Sequence, residues 1–355
     1  MLYFPEAAVD VIKVFVLGTT SFLLAFWITP FLTKILYKHK LWRKSVRTKA
    51  IDGKDLTYFQ KFHSEGEINV PRFGGLLIWV APSVLAGLLF LLSLAGIDVF
   101  QKLNFFDRGQ TWLPFFALVS ASLVGLADDL LQVFGKGKYI SGGLSLKQRL
   151  FLMGLIGSVG AWWFYYKLGW AALHIPGNGD LEIGILYLPL FVLIMMATYS
   201  GGVIDGLDGL SGGAFAAIFG AFGGIALFLG QINLAAFCIT ILGALLAFLW
   251  FNIPPARFYM GETGIMGLTA ALTVVAFMTD SVLVLPIIGF LLVIESGSVI
   301  LQLLSKRFRG KKIFLAAPIH HHFEALGWPH YKVTMRFWII GVVAAIVGVA
   351  VRLLG

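Results

Sequence analysis

The sequence predicts an all-α fold, a polytopic transmembrane helical bundle of about ten spans with both termini outside. Three observations predict it. Hydrophobic residues make up 59% of the 355-residue chain and charged residues 13%, about half the charged share of a soluble domain, and the mean hydropathy is +0.88. Apolar runs near ~20 residues recur along the whole length, each long enough to cross a bilayer. The basic residues gather in alternate connections between those runs.

The spans are read at 11–35, 73–96, 111–128, 148–169, 183–200, 211–229, 231–251, 263–280, 282–304 and 334–354. Each is expected to be a helix, because an open sheet would leave backbone groups unpaired in lipid. The first ten residues carry Glu6 and Asp10 but no base, unlike a cleaved secretory leader, so the first run reads as a permanent span. The Gly-rich stretches 211–230 and 261–267 suit close helix packing. One membrane domain, 1–355, is expected, with inward loops near 36–72, 129–147, 201–210, 252–262 and 305–333.

Orientation follows from Lys and Arg. The connection after span one holds ten of them, from Lys34 to Arg72; the one after span three holds Lys136, Lys138, Lys147 and Arg149. Arg257 follows span seven, and Lys306, Arg307, Arg309, Lys311, Lys312, Lys332 and Arg336 follow span nine. These are 22 of 27 basic residues, so these connections face the cytoplasm. The net charge of +9 is thus a topology signal with a second role toward anionic membrane lipid, and no nucleic-acid partner is expected. A single cysteine, Cys238, excludes an internal disulfide.

The ionisable and amide residues that packing does not explain fall on the same side. Asp128 and Asp129 close span three in GLADDL; Asp205 and Asp208 follow span five in DGLDGL. Asn252 and Glu262 flank the exit of span seven, and His320, His321 and His322 follow span nine. Taken singly, each has an ordinary explanation: a solvated helix end, a turn with an Asp cap, a surface His turn. Spaced three apart, Asp205 and Asp208 share a face if helical. Convergence of four clusters on one side points to a single site, since ionisable groups at membrane spans are costly and functional by default. Several carboxylates with an Asn suit a hard cation such as Mg²⁺, bound by one or two carboxylates plus substrate phosphates. Zinc on the His run is the alternative, although no Cys lies nearby. Basic groups beside the acids suit phosphate oxygens, and the whole suits phosphoryl transfer, where positioning and charge neutralisation dominate. No Walker A pattern is present, which excludes an ordinary nucleotide-hydrolysing motor.

At these residues the chain resembles the polyprenyl-phosphate N-acetylhexosamine-1-phosphate transferases, and most of all their phospho-N-acetylmuramoyl-pentapeptide transferase branch. GLADDL, DGLDGL and the FN…MGETG segment match the wider family; KKIFLAAPIHHHFEALGW (311–328) and RFWIIG (336–341) match the branch. The resemblance implies transfer of phospho-N-acetylmuramoyl-pentapeptide from UDP-N-acetylmuramoyl-pentapeptide to undecaprenyl phosphate, giving lipid I and UMP with Mg²⁺ in peptidoglycan synthesis. It implies a bacterial inner-membrane location with the site facing the cytoplasm, and a homodimer that no residue demonstrates. By position, Asp128 and Asp129 match the paired acids, one a base or lipid-phosphate partner, and Asp205 and Asp208 match acids near metal and uridine. Asn252 matches a nucleotide-binding Asn, Tyr259 an aromatic ring against uracil, Glu262 the metal-binding acid, Lys147 a basic loop residue, and His320, His321 and His322 the His loop.

Departures occur at Glu262, where the family has Asp, at Gly202, where it has Asn, and at NVPRFGG (69–75), which places Arg72 where it has Thr; upstream, Glu67 replaces an expected Lys. The NVPRFGG loop is similar to the sister branch and supports the alternative, a UDP-N-acetylglucosamine:polyprenyl-phosphate N-acetylglucosamine-1-phosphate transferase. From other classes, a membrane transporter lacks the expected internal repeat, and an inactive lipid- or nucleotide-binding relative is motivated by Glu262 and Gly202.

Overall fold

A computed structural model describes residues 6–43, 69–136 and 142–355. Lys138 and Glu67, together with Lys44, Arg47, Lys49, Lys54 and Lys61 of the connection after the first span, lie outside the described residues.

The long helices are α1 (Glu6–Lys38), α2 (Leu76–Ser93), α4 (Trp112–Val133), α5 (Leu146–Trp162), α6 (Tyr187–Ser200), α7 (Leu210–Phe228), α8 (Ile232–Asn252), α9 (Gly261–Met278), α11 (Phe290–Arg309) and α13 (His330–Leu354). Among the described residues, three short helices lie between them, α3 (Asp98–Leu103), α10 (Leu285–Ile288) and α12 (Ile319–Ala325). Among the described residues, eight helical segments are long and apolar enough to cross a membrane; α5 and α11 do not meet that criterion. Helix α5 has 17 residues before it widens into a π-turn at Trp163–Lys167. The basic residues of α11, Lys306, Arg307 and Arg309, lie in its last turn.

Three boundaries differ from the sequence reading. Span three does not end at Asp128: Leu130, Leu131 and Val133 carry the helix another turn, so both Asp side chains sit inside it and are fully buried. The segment expected as one span at 282–304 is broken at Gly289 into α10 and α11. The connection before α6 holds an antiparallel hairpin, β1 (Ala172–Ile175) with β2 (Gly179–Glu182), in register Ala172 to Glu182.

Helix α9 is the axis. Its membrane-length window is 94% buried, against 28% for α1 and 22% for α13. Glycines and threonines make it slim, and its largest interface is with α4. Gly125 of α4 explains how close the two come: a Cβ there would collide with the backbone carbonyl of Glu262. Small residues at such crossings let helices in lipid approach and gain dispersion contacts. Helices α1, α7, α8 and α13 pack as an adjoining layer, through the pairs α1–α8, α7–α8 and α7–α13.

Candidate active site

The α4–α9 crossing sets the site. Thr263 Oγ1 donates to the Ser122 carbonyl at 3.1 Å, fixing the register of the two helices. Gly261 opens α9 with φ +74°, a left-handed conformation that favours glycine, and a Cβ there would strike the Asp129 carboxylate. The first amides of a helix have no partner within it. One of them, Thr263 N–H, donates to Asp129 Oδ2 at 2.9 Å. Asp129 therefore caps the neighbouring helix, and Arg72 reaches its other oxygen at 3.4 Å.

Asp128, one residue earlier, has a different set of partners. It accepts from Gln132 Nε2 at 2.6 Å and from the Leu144 amide, and pairs with Arg149 Nη2 at 3.1 Å. Helix α5 starts where it does because Ser145 and Gln148 form a reciprocal capping box, with Ser145 N–H donating to Gln148 Oε1 at 2.9 Å. That start puts Arg149 in the first turn, where its Nη1 forms a close ion pair with Glu262 and its guanidinium also hydrogen-bonds Tyr199. Tyr199 in turn donates to Glu262 Oε2 at 3.4 Å.

DGLDG forms a turn, not a helical face. Asp205 lies between a 3₁₀ turn, Gly201–Ile204, and α7. Its Oδ1 accepts from Ser211 Oγ at 2.7 Å and its Oδ2 from Gly261 N–H at 3.3 Å. Desolvation by burial raises the Asp205 carboxyl above the usual carboxylate range, against the lowering effects of the Ser211 bond and of Arg72. Asp208 Oδ2 accepts the Ala256 amide at 3.0 Å, and its carbonyl accepts Thr334 Oγ1 at 3.1 Å. Asn252 is a clamp between the two loops: its Oδ1 accepts Gly209 N–H at 2.9 Å and its Nδ2 donates to the Phe258 carbonyl at 2.8 Å. Half-buried Tyr259 is held through its backbone by the 69–75 loop, donating to the Pro71 carbonyl and accepting from Gly74 N–H, both at 2.8 Å.

The three histidines take different partners. His320 is fully buried, its Nδ1 2.8 Å from Glu295 Oε2 on α11. His321 pairs with Glu324 at 2.5 Å, and Glu324 also forms a close contact with His330. His322 Nδ1 accepts the Leu315 amide at 3.2 Å. Gln302 of α11 holds the loop beneath them, accepting the amides of Ile313 and Phe314 at 2.9 and 3.0 Å.

The structure thus brings Asp128, Asp129, Asp205 and Glu262 together at the start of α9, with His320 alongside through Gly206. Lys147 is exposed at the start of α5 and makes none of these contacts; Arg149 makes them instead. Glu262 acts electrostatically on all three aspartates. Four carboxylates thus face two described guanidinium groups, Arg72 and Arg149. Fully ionised, this set carries two excess negative charges, and all its donors are hard oxygens. Both properties fit a divalent cation of the Mg²⁺ type. No described group of three or more His, Cys, Asp or Glu side chains is preassembled to hold a metal.

Comparison with known proteins identifies the lineage. The model of Glycosyl transferase family 4 matches residues 111–280. A phospho-N-acetylmuramoyl-pentapeptide-transferase of Chloroflexus aurantiacus is 32% identical over 360 residues, covering 97% of this chain and 91% of that protein. One from Geobacillus sp. (strain WCH70) is 34% identical over 307 residues, covering 84% and 90%. The chain belongs to the phospho-N-acetylmuramoyl-pentapeptide-transferase family. A third member, from Levilactobacillus brevis, is 38% identical over 292 residues, covering 81% of this chain and 86% of its own.

Within this family member, sequence reasoning had missed Glu295, Glu324 and His330 as partners of the His loop. Glu295 was detectable as a carboxylate inside an expected span, where an ionisable group is a functional signal. Arg149 was visible only as one base among several, because its selection depends on the helical phase set by the capping box. In this transferase the departure at Arg72 places a guanidinium against Asp129.

Proposed function

We propose that this transferase moves phospho-N-acetylmuramoyl-pentapeptide from its UDP carrier to undecaprenyl phosphate at the cytoplasmic face of the bacterial inner membrane, with Mg²⁺. The observation that carries the reading is the convergence of Asp128, Asp129, Asp205 and Glu262 from three separated segments onto the first turn of α9, in a chain of this family. The net reaction moves the β-phosphorus from the oxygen it shares with UMP to a phosphate oxygen of the lipid. Chemistry of this kind needs placement and charge compensation more than covalent assistance.

Glu262 and Asp205 are the proposed cation ligands, and the ion, when bound, would offset charge developing on the diphosphate. Asp129 stabilises the start of α9, so the Glu262 backbone is fixed from below. Asp128, held by Gln132 and Arg149, is proposed to orient the attacking lipid phosphate or to hold its proton. Arg149 and the exposed Lys147 supply positive charge for phosphate oxygens. Tyr259 and Asp208 are proposed to face the uridine, while Asn252 keeps their two loops in fixed relation. His321 and His322 are proposed to lie toward the sugar diphosphate.

Purified protein incubated with undecaprenyl phosphate and Mg²⁺ is expected to release UMP from UDP-N-acetylmuramoyl-pentapeptide. Release from UDP-N-acetylglucosamine alone would transfer the chain to the sister activity, and no release from either would leave a binding protein or a transporter. Glu262→Gln is expected to reduce Mg²⁺-dependent turnover by ~10²-fold, in the range for losing one charge-stabilising group, whereas Glu262→Asp keeps an oxygen ligand and most of the activity. Equal turnover in the wild type and both variants, measured over a Mg²⁺ titration, would remove Glu262 from the cation site.

A further inference from the structure

Glu295 and His320 form an ion-pair-like contact in the interior, and neither side chain is exposed. They come from different elements, α11 and α12. Helix α11 crosses directly against the 3₁₀ turn that leads into DGLDG: a Cβ on Gly201 would meet Leu292 of α11. Glu295 lies almost one helical turn beyond Leu292. Its Oε2 holds His320 Nδ1 at 2.8 Å, while its Oε1 and the His320 Nε2 have no hydrogen-bond partner. Two buried polar atoms left open in one contact are uncommon, because such atoms are nearly always satisfied. A pair serving only to glue two helices could be replaced by apolar side chains without loss.

The open nitrogen has a direction. A methyl group placed on Gly206 would collide with His320 Nε2, and the adjacent ring carbons come next. Gly206 is the residue between Asp205 and the Leu207–Asp208 step of the turn. The imidazole edge therefore lies under the backbone that spaces the two acids. The Glu295 contact at Nδ1 fixes the ring orientation and leaves Nε2 toward the turn, as in other carboxylate–histidine arrangements.

We propose that Glu295 is a positioning residue for the transfer reaction, acting through His320 on the Asp205–Asp208 turn. The inference rests on the reaction proposed above. Glu295 touches no reacting group; it sets the imidazole, and the imidazole sets the turn.

The test is a double-mutant cycle in the purified full-length protein, using UDP-N-acetylmuramoyl-pentapeptide and undecaprenyl phosphate with Mg²⁺. Glu295→Gln is expected to lower kcat by ~10–100-fold, the usual consequence of removing an orienting partner, with KM for the sugar nucleotide within about twofold, since only the reacting arrangement is disturbed. His320→Asn should produce a similar loss. In the His320→Asn background, Glu295→Gln should add nothing further, the non-additivity expected of a coupled pair. Multiplying losses in the double variant, or a KM that rises while kcat holds, would overturn the proposal. Should Glu295→Gln fail to accumulate as folded protein, Glu295→Asp takes its place in the cycle: its shorter carboxylate keeps the charge but breaks the 2.8 Å contact. If the wild type instead prefers UDP-N-acetylglucosamine, the substrate assignment fails and the cycle is read with that donor, so the two failures are distinct.

Discussion

Arg149→Met is expected to cost about 3–5 kcal/mol of stability, the penalty for removing one member of a buried ion pair and stranding the other. Asp128 is fully buried, and among the described residues it holds one ion pair, with Arg149. Glu262, 20% exposed in its side chain, pairs with the same guanidinium. A single fork thus satisfies two acids, with Tyr199 closing the circuit. Methionine fills similar volume but leaves both carboxylates without a cation. The melting temperature of the detergent-solubilised protein should fall, and UMP release should fall with it. Arg149→Lys restores the charge without the planar fork, and one ammonium does not match two divergent carboxylates; partial recovery is expected. An unchanged melting temperature in Arg149→Met would mean that solvent screens the pairs and that the cluster is not a desolvated one.

Gly125→Ala is the second large effect. At some crossings, such as Gly223 against Ile239, an added methyl group would meet a side chain that can give way. At Gly125 it meets the Glu262 carbonyl oxygen and carbon and the Thr263 amide nitrogen. Overpacking of a tight interior costs roughly 1–3 kcal/mol, and main-chain neighbours put this position at the upper end. Separating α4 from α9 would also pull Asp129 from the Thr263 amide, so activity should be lost before the fold. Gly87→Ala on α2 is the control: nothing lies within 4 Å of a Cβ there, and the helix should gain up to about 1 kcal/mol from the substitution. Melting curves of the two variants check the contrast, and equal behaviour would refute the close-approach account.

The spans were legible because a bilayer demands length and apolarity, and both are written in composition. Breaks were less so. Gly289 interrupts an apolar run whose hydropathy hardly changes across it, and the paired acids Asp128 and Asp129 mask the apolar helical turn that follows them. The acids of the site were visible as polar anomalies in an apolar chain. Their connectivity was not, since ion-pair choice depends on helical phase: Lys147 and Arg149 read alike in sequence, but the Ser145–Gln148 cap turns only Arg149 inward. Glu295 escaped for another reason. It lies in a span, not a loop, and its partner follows 25 residues later beyond a basic segment.

The burial of α9 has a consequence for how the enzyme meets different membranes. A bilayer that is too thick or too thin acts on a protein through helices that touch lipid, which tilt or bend to match it. Here that stress falls on α1 and α13, which are mostly exposed, whereas α9 is insulated on every side. Glu262 and the amide that Asp129 caps both belong to the insulated rod. The proposed reacting centre is thus mounted like a bearing inside a sleeve, and lipid-driven tilting of the outer helices is expected to be taken up before it reaches the carboxylates.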